Sequence, residues 1–329
     1  MEMTGRVLAW ALVPLGAVLP FVLGSPYALQ LASLVVIYGG LMVALNLCFG
    51  YGGLVSVAHG GMFGAGAYAT GVLMTTHQWN FWATLPVAAV LGCAMGGLLG
   101  LLTLRMHGHY FVIASLAFGL MAQLVLSRWT AVTGGELGLG PIPTYSGLPG
   151  VSFESPTARY LLAFGFLVVF CGVSALVVRS PLGRRLAAIK QNGRLADALG
   201  IDPVRTRLAA LLISSAMAAL AGSVYAPYIG FLDPSAGGID LNFKTGLALI
   251  IGGGGTALGP VIGAAVHVLL PEALRGAQEY SVLALGVVLL VVIRFAPHGV
   301  AGTLRRLLVE RERPAPEPEA EEEKVSTNA

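Results

Sequence analysis

The sequence predicts an all-α, polytopic membrane protein with about ten transmembrane helices, Gly-rich broken segments and both termini cytoplasmic. Three observations predict it. Hydrophobic residues are 56% of the 329 and charged residues only 11%, where a soluble domain typically carries about 25% charged; mean hydropathy is +0.80. Apolar runs of about 17 to 25 residues recur along the chain, the length a helix needs to cross roughly 30 Å of hydrocarbon. The cations fall unevenly on alternate loops, as the excess of Lys and Arg on cytoplasmic loops requires.

The runs are Val7–Leu23, Tyr27–Cys48, Leu54–Met74, Trp82–Leu104, Tyr110–Leu126, Tyr160–Val178, Leu208–Tyr228, Leu241–Ile251, Ala257–Leu270 and Ser281–Phe295. The first reads as a span and not as a cleaved signal peptide: it holds Pro14 and Pro20, lacks a small-x-small cleavage site, and is followed by many more runs. Trp82, Trp129 and Tyr160 flank runs at headgroup depth. Cys48, Cys93 and Cys171 each lie inside a run and read as packing residues. With ten crossings, 15 of the 19 cations share one side: Arg6, Arg105, Arg179, Arg184, Arg185, Lys190, Arg194, Arg205, Arg207, Arg294, Arg305, Arg306, Arg311, Arg313 and Lys324. The other side holds Arg128, Arg159, Lys244 and Arg275. A single helix over Leu241–Leu270 would send the cationic tail outward; splitting it at Gly252–Thr256 restores the parity. Residues 1–308 then form the transmembrane domain. Residues 309–329, with the Pro- and Glu-rich "ERERPAPEPEAEEEKVSTNA" from Glu310, form a disordered acidic cytoplasmic tail.

The interior loop of residues 179–207 concentrates charge and has a fold of its own. Ser180-Pro181 opens a helix, with the hydroxyl at the cap and Pro at the first helical position. That helix breaks at Gln191-Asn192-Gly193. Asn192 caps a second, two-turn helix that stops at Gly200, with Pro203 beyond. Leu195, Ala198 and Leu199 lie at i, i+3 and i+4 and form one apolar face, while Arg194 and Asp197 lie on the other. A topological loop needs cations but no capped helix with an apolar face toward water. Such a patch implies a docking partner.

The segment "AAIKQNGRLADALGID" resembles the cytoplasmic coupling segment of branched-chain amino acid ABC importer permeases of the LivM type, which tends to read R-A-I-R-E-N-E-x-A-A-E-A-L-G-I. Ala188, Ile189, Lys190, Asn192, Ala196, Asp197, Ala198, Leu199, Gly200 and Ile201 carry the match; Gly193 stands where an acid is usual and Leu195 where Ala is usual. "GYGGLVSVAHGGMFGAGAYATGVL" (50–73) is similar to the family's GYAGQLSLGHAAFFGIGAYTAAL. "MHGHYFVIASLAFG" (106–119), "TGGELGLG" (133–140), "IGGGGTALGPVIGA" (251–264) and "RFAPHGVAG" (294–302) have counterparts there in the same order. The resemblance implies a permease subunit in the bacterial inner membrane, paired with a homologous second permease. It also implies two cytoplasmic ATPase subunits on the 179–207 loop and a periplasmic substrate-binding protein. Asn192, Arg194, Leu195, Asp197, Ala198, Leu199 and Gly200 would form the ATPase-coupling site, Gly200 ending the helix where no side chain fits. The implied substrates are leucine, isoleucine, valine or related small solutes. This chain would bind no cofactor, ATP and Mg residing on the partner ATPases.

The remaining motifs bear on how a solute would pass. Two Gly-rich interruptions, Gly50–Gly66 with its Gly60/Gly64 small-xxx-small pair and Gly252–Gly263, fall in the two halves of the chain. Paired interruptions of that kind point to a site near the bilayer midplane. His59, Gly64, Tyr68, Tyr110, Ser115 and Gly254, in these interruptions and in the neighbouring 50–73 and 106–119 motifs, are the pathway candidates. The spans carry almost no ionisable group beyond His59 and His267, where a proton- or sodium-coupled carrier keeps an acid or a Lys. The energy would then come from an attached ATPase. This chain is not that ATPase, since no Gly-rich run continues into G-K-[ST]. No metal cluster, nucleophile–base pair or nucleic-acid surface stands out, which argues against an intramembrane enzyme. A stand-alone channel for a small neutral solute such as urea or an amide would share the Gly-rich helices, but would not need the docking helix.

Overall fold

A computed structural model describes residues 14, 16–20, 22, 24–103, 109–147, 152–296 and 299–303. The tail at 309–329 and most of the Val7–Leu23 run lie outside them. Eleven helices concern the argument: α1 (Pro26–Asn46, running into a π-helical turn, Leu47–Tyr51), α2 (His59–Thr75), α3 (Phe81–Thr103), α4 (His109–Arg128), α5 (Pro156–Arg179), α6 (Pro181–Gln191), α7 (Gly193–Ala198), α8 (Pro203–Ile229), α9 (Ile239–Gly252), α10 (Gly259–Ala273) and α11 (Ser281–Phe295). Five are long and apolar enough to cross a membrane: α1 with its turn, α3, α4, α5 and α8. The others have 14 to 17 residues, α6 and α7 apart.

Helix starts follow a shared local device. Ser25-Pro26, Ser155-Pro156, Ser180-Pro181 and Asp202-Pro203 each place Pro in the first turn, where its missing N–H has no helical partner to lose. Three of the four capping side chains also accept backbone hydrogen bonds: Ser155 Oγ from Ala158 N (3.2 Å), Ser180 Oγ from Leu182 N (3.1 Å) and Asp202 Oδ1 from Val204 N (2.9 Å).

α8 is the central post, packed on α1, α2 and α3. Its most apolar window is 61% buried and that of α1 is 72% buried, against 28% for each of α3, α4 and α5. The peripheral helices instead turn Val90, Leu101, Ile113 and Leu176 outward, the band a lipid environment would cover. Small residues set the central crossings. A Cβ on Gly66 would strike the Ala219 backbone, one on Gly222 the Phe63 carbonyl, and one on Gly92 or Gly96 the backbone or side chain of Ser215. Ser223 Oγ, made accessible by that approach, donates to Gly66 O at 3.3 Å.

At the end of α8 remote from α7, the loop around Gly138 meets the chain after Gly230. Leu139 and Leu232 exchange two backbone bonds of 2.8 Å, and Ile142 N donates to Gly230 O at 2.8 Å. The predicted run Leu54–Met74 differs from the structure at its start. Residues 53–58 are non-helical and α2 begins only at His59: Leu54 N is held by Cys48 O, Val57 N by Ser115 Oγ and Ala58 N by Ser56 Oγ in place of helical bonds. The chain does break between Gly252 and Gly259, where the Gly252–Thr256 interruption was expected.

The crossing geometry makes a paired test. Gly66→Val and Gly222→Val each drive a side chain into backbone and should lower stability by about 1–3 kcal/mol or more. Gly165→Ala, on the open face of α5 with nothing within 4 Å of its Cβ position, should be neutral or stabilising by up to about 1 kcal/mol. Thermal midpoints of the detergent-purified chain would check both.

Candidate coupling and translocation site

The segment between α5 and α8 folds as expected from its local residues. Ser180 caps α6. Asn192 both ends α6 and caps α7, its Oδ1 accepting from Leu195 N at 3.1 Å. α6 is seated by Leu186 and Ile189, 0% and 3% exposed. α7 rests on the body through buried Ala196, while Leu195, Ala198 and Leu199 face outward, the two leucines 57% and 73% exposed. Arg194 and Asp197 are exposed as well. At Gly200 nothing of this chain lies within 4 Å of the Cβ position. What favours glycine is its φ of +83°.

Two helix breaks lie beneath this segment. In the first, the π-turn returns the chain through Gly52 N to Leu47 O (3.2 Å) and Leu54 N to Cys48 O (2.9 Å), with Gly53 at φ +65°. The extended residues that follow are held from α4: Val57 N donates to Ser115 Oγ at 3.0 Å, and Gly119 leaves room for the Val57 carbonyl. A buried polar chain closes the break, with His59 Nδ1 3.1 Å from Ser56 Oγ, His59 Nε2 3.0 Å from Ser214 Oγ, and Cys48 Sγ 3.0 Å from the same Ser214 hydroxyl.

The second break, Gly253–Leu258, is joined to the first by a buried amide. Asn46, 2% exposed at the end of α1, accepts from Gly255 N at 2.7 Å and donates to Thr256 O at 3.0 Å. A second buried amide works in the opposite direction. Asn242 on α9, 6% exposed, accepts from Gly60 N at 2.7 Å at the start of α2 and donates to Gly238 O at 3.1 Å. Gly50 sits so close to Asn46 and Gly255 N that a Cβ would collide with both, and Gly299 (φ +73°) lies against Gly253.

The pathway candidates therefore have distinct placements. His59 and Ser115 are buried and bonded within the first break. Gly64 packs against Gly237, and Tyr68 donates to Leu232 O at 3.2 Å beside the remote loop. Tyr110 is 70% exposed on the bundle flank. Gly254 is exposed at the second break, against Phe49. Sequence reading missed Asn46, Asn242 and Ser214, whose signal was a polar side chain inside an otherwise apolar run. It also missed a ring cluster in which Tyr38 meets Phe63, Tyr225 and His267 at centroid distances of 5.9, 5.8 and 4.8 Å. Among the described residues no three His, Cys, Asp or Glu side chains are placed to hold a metal ion.

Apolar helices that expose an apolar band, two joined breaks inside the bundle and an amphipathic helix slung between two long spans define a multi-pass membrane permease. The chain belongs to the family described as branched-chain amino acid transport system / permease component, whose model matches residues 27–293. It is 30% identical over 317 residues to the high-affinity branched-chain amino acid transport system permease protein LivM of Salmonella typhimurium, covering 89% of this chain and 74% of that one. It is 30% identical over 312 residues to LivM of Escherichia coli K12, covering 88% and 73%. LivH of the same strain is 24% identical over 297 residues, covering 85% and 92%.

Asn46→Ala would strand the Gly255 N–H and Thr256 carbonyl, at a cost of about 1–3 kcal/mol. Asn46→Asp keeps the acceptor for Gly255 N but sets a buried carboxylate oxygen against the Thr256 carbonyl, and should cost at least as much. Asn242→Ala should resemble Asn46→Ala. Unchanged thermal midpoints in lipid nanodiscs for both alanine variants would contradict this assignment.

Proposed function

We propose that this chain is the transmembrane permease subunit of an ATP-driven importer of branched-chain amino acids, leucine, isoleucine or valine, or of related small solutes. The observation that carries the reading is α7, a capped helix between two long spans that presents Leu195, Ala198 and Leu199 to solvent in a chain of this family. An exposed apolar patch on a charged loop implies a partner, and a cytoplasmic ATPase suits a chain whose spans hold almost no ionisable group for ion coupling.

In this reading α7 docks two-fold related ATPase subunits, one on this chain and one on a homologous second permease, with ATP and Mg held by those subunits. A periplasmic binding protein delivers the solute to the opposite face. The pathway lies between the two permeases. The cation distribution supports ten crossings with both termini cytoplasmic in a bacterial inner membrane. The shorter helices α2, α9, α10 and α11, at 1.5 Å per residue, give only about 21–26 Å each, so the non-helical breaks would complete their crossings. Non-helical backbone at membrane depth is tolerated where protein or a cavity satisfies it. Nucleotide-driven movement of the ATPases would displace α7 as a unit, Arg194 and Asp197 making polar contacts around the apolar patch.

Gentle extraction of the tagged chain from its native membrane tests the reading. A Walker-motif ATPase and a second permease should co-purify with it. The pair of substitutions Leu195→Asp and Leu199→Asp should reduce ATPase recovery about tenfold or more, the scale of losing an apolar hot spot, at unchanged membrane abundance and unchanged recovery of the second permease. A wild-type chain that runs alone even after mild crosslinking would favour a stand-alone facilitator.

A further inference from the structure

Lys190 counts at first sight as one more cation of the positive loop, but its position sets it apart. It lies in the last turn of α6, and its Nζ donates to the carbonyl of Gly50 in the π-turn after α1. Its aliphatic stem runs across Gly53, where a Cβ would stand 3.0 Å from Lys190 Cγ. The same ammonium is 3.7 Å from the Cβ position of Gly255. Lys190 thus sits where the two helix breaks touch, and Gly255 is itself bonded to Asn46. Gly53 leaves room for the stem, which a side chain there would meet, and Gly50 lets the turn approach Asn46 and Gly255 N.

On its other side Lys190 is tied to the proposed docking helix by a short, stiff connection. Leu186 and Ile189 anchor α6, and Asn192 ends α6 while capping α7, so no flexible linker separates Lys190 from Leu195. Lys190 is otherwise exposed, and its charge-assisted bond to the carbonyl is shorter and stronger than a neutral one.

We propose that Lys190 is the positioning residue through which displacement of α7 reaches the transport pathway: its ammonium holds the Gly50–Gly53 turn, and through Asn46 the Gly253–Thr256 break, in register with the coupling segment. This rests on the permease reading above. α6 and α7 then act as a lever seated by Leu186 and Ile189, whose polar link to the breaks is the Lys190 bond. Loss of that bond leaves the ATPases docked and able to hydrolyse ATP, but disconnects hydrolysis from movement of the breaks.

The test uses the complete complex, with its binding protein, in proteoliposomes supplied with ATP and leucine, uptake and hydrolysis being measured together. Lys190→Cys should leave assembly and ATP hydrolysis near wild type while leucine uptake per ATP falls about tenfold, the scale of losing one charge-assisted bond. Aminoethylation of the purified variant complex with 2-bromoethylamine, which rebuilds an amine of lysine length on the cysteine sulfur, should then restore uptake per ATP to within about twofold of identically treated wild type. Rescue after folding is something a purely structural role would not give. Uptake per ATP unchanged in Lys190→Cys would overturn the proposal, and so would a fully aminoethylated complex that stays uncoupled. A variant complex that fails to assemble is replaced by Lys190→Arg, which keeps the cation and should retain coupling; uncoupled Arg complexes that hydrolyse ATP normally would count against it. Wild-type uptake of leucine without any ATPase would remove the permease reading, and the proposal with it.

Discussion

The structure depends on how it satisfies backbone groups freed where membrane helices are interrupted. An amide N–H or carbonyl left without a partner in an apolar interior costs about 1–3 kcal/mol by mutational measures. An interhelical hydrogen bond in a membrane contributes only about 0.6 kcal/mol on average. The penalty avoided is therefore larger than the attraction gained, and the buried amides of Asn46 and Asn242 are best understood as caps. They act crosswise. The residue that ends the helix before the first break satisfies the second break, and a residue on the helix before the second break satisfies the start of α2 after the first. Local bonds such as Leu54 N to Cys48 O and Gly259 N to Thr256 Oγ1 close each break in part, and the two amides supply the remainder from the other half of the bundle.

Much of the remaining architecture follows from bringing these breaks together. Gly50 must approach Gly255, and Gly299 must approach Gly253, closer than any side chain permits. Ser115 and Gly119 on α4 must receive the Val57 amide and carbonyl. Ser214 on the central α8 must meet both His59 and Cys48. Residues far apart in the chain are thus parts of one junction: the Gly-rich stretch from Gly50, Ser115 and Gly119 of α4, the turn after Gly252, and Gly299. α6 and α7 lie directly against it.

What was legible in the sequence was local. The Ser180 and Asn192 caps, the glycine stop at position 200, the apolar face of α7 and the interruption after Gly252 each depend on residues within a turn or two of one another, and the structure shows all of them. The start of α2 was not legible, because hydropathy reports burial and is silent on whether an apolar backbone bonds to itself; residues 53–58 are apolar and non-helical. The partners of Asn46, Asn242 and Lys190 were not legible either, since they lie 209, 182 and 140 positions away. Polarity within the family-like segments singled out Tyr68 and Ser115, but the fold uses both hydroxyls to hold backbone. At Gly200 the glycine stop was legible from the local pattern, and its φ of +83° is the left-handed backbone that favours glycine.

The most direct measurement is site-resolved hydrogen–deuterium exchange on the intact chain in lipid nanodiscs, comparing residues 50–60 and 253–259 with the core of α8 and with the exposed turn at 77–80. Crosswise capping predicts slow exchange at Gly60 and Gly255, and predicts that Asn46→Ala accelerates Gly255, far along the chain from the substitution, while Gly60 stays protected. Exchange at either glycine as fast as in the 77–80 turn, or an Asn46 variant that changes only its own neighbourhood, would contradict the view that the two breaks form one junction.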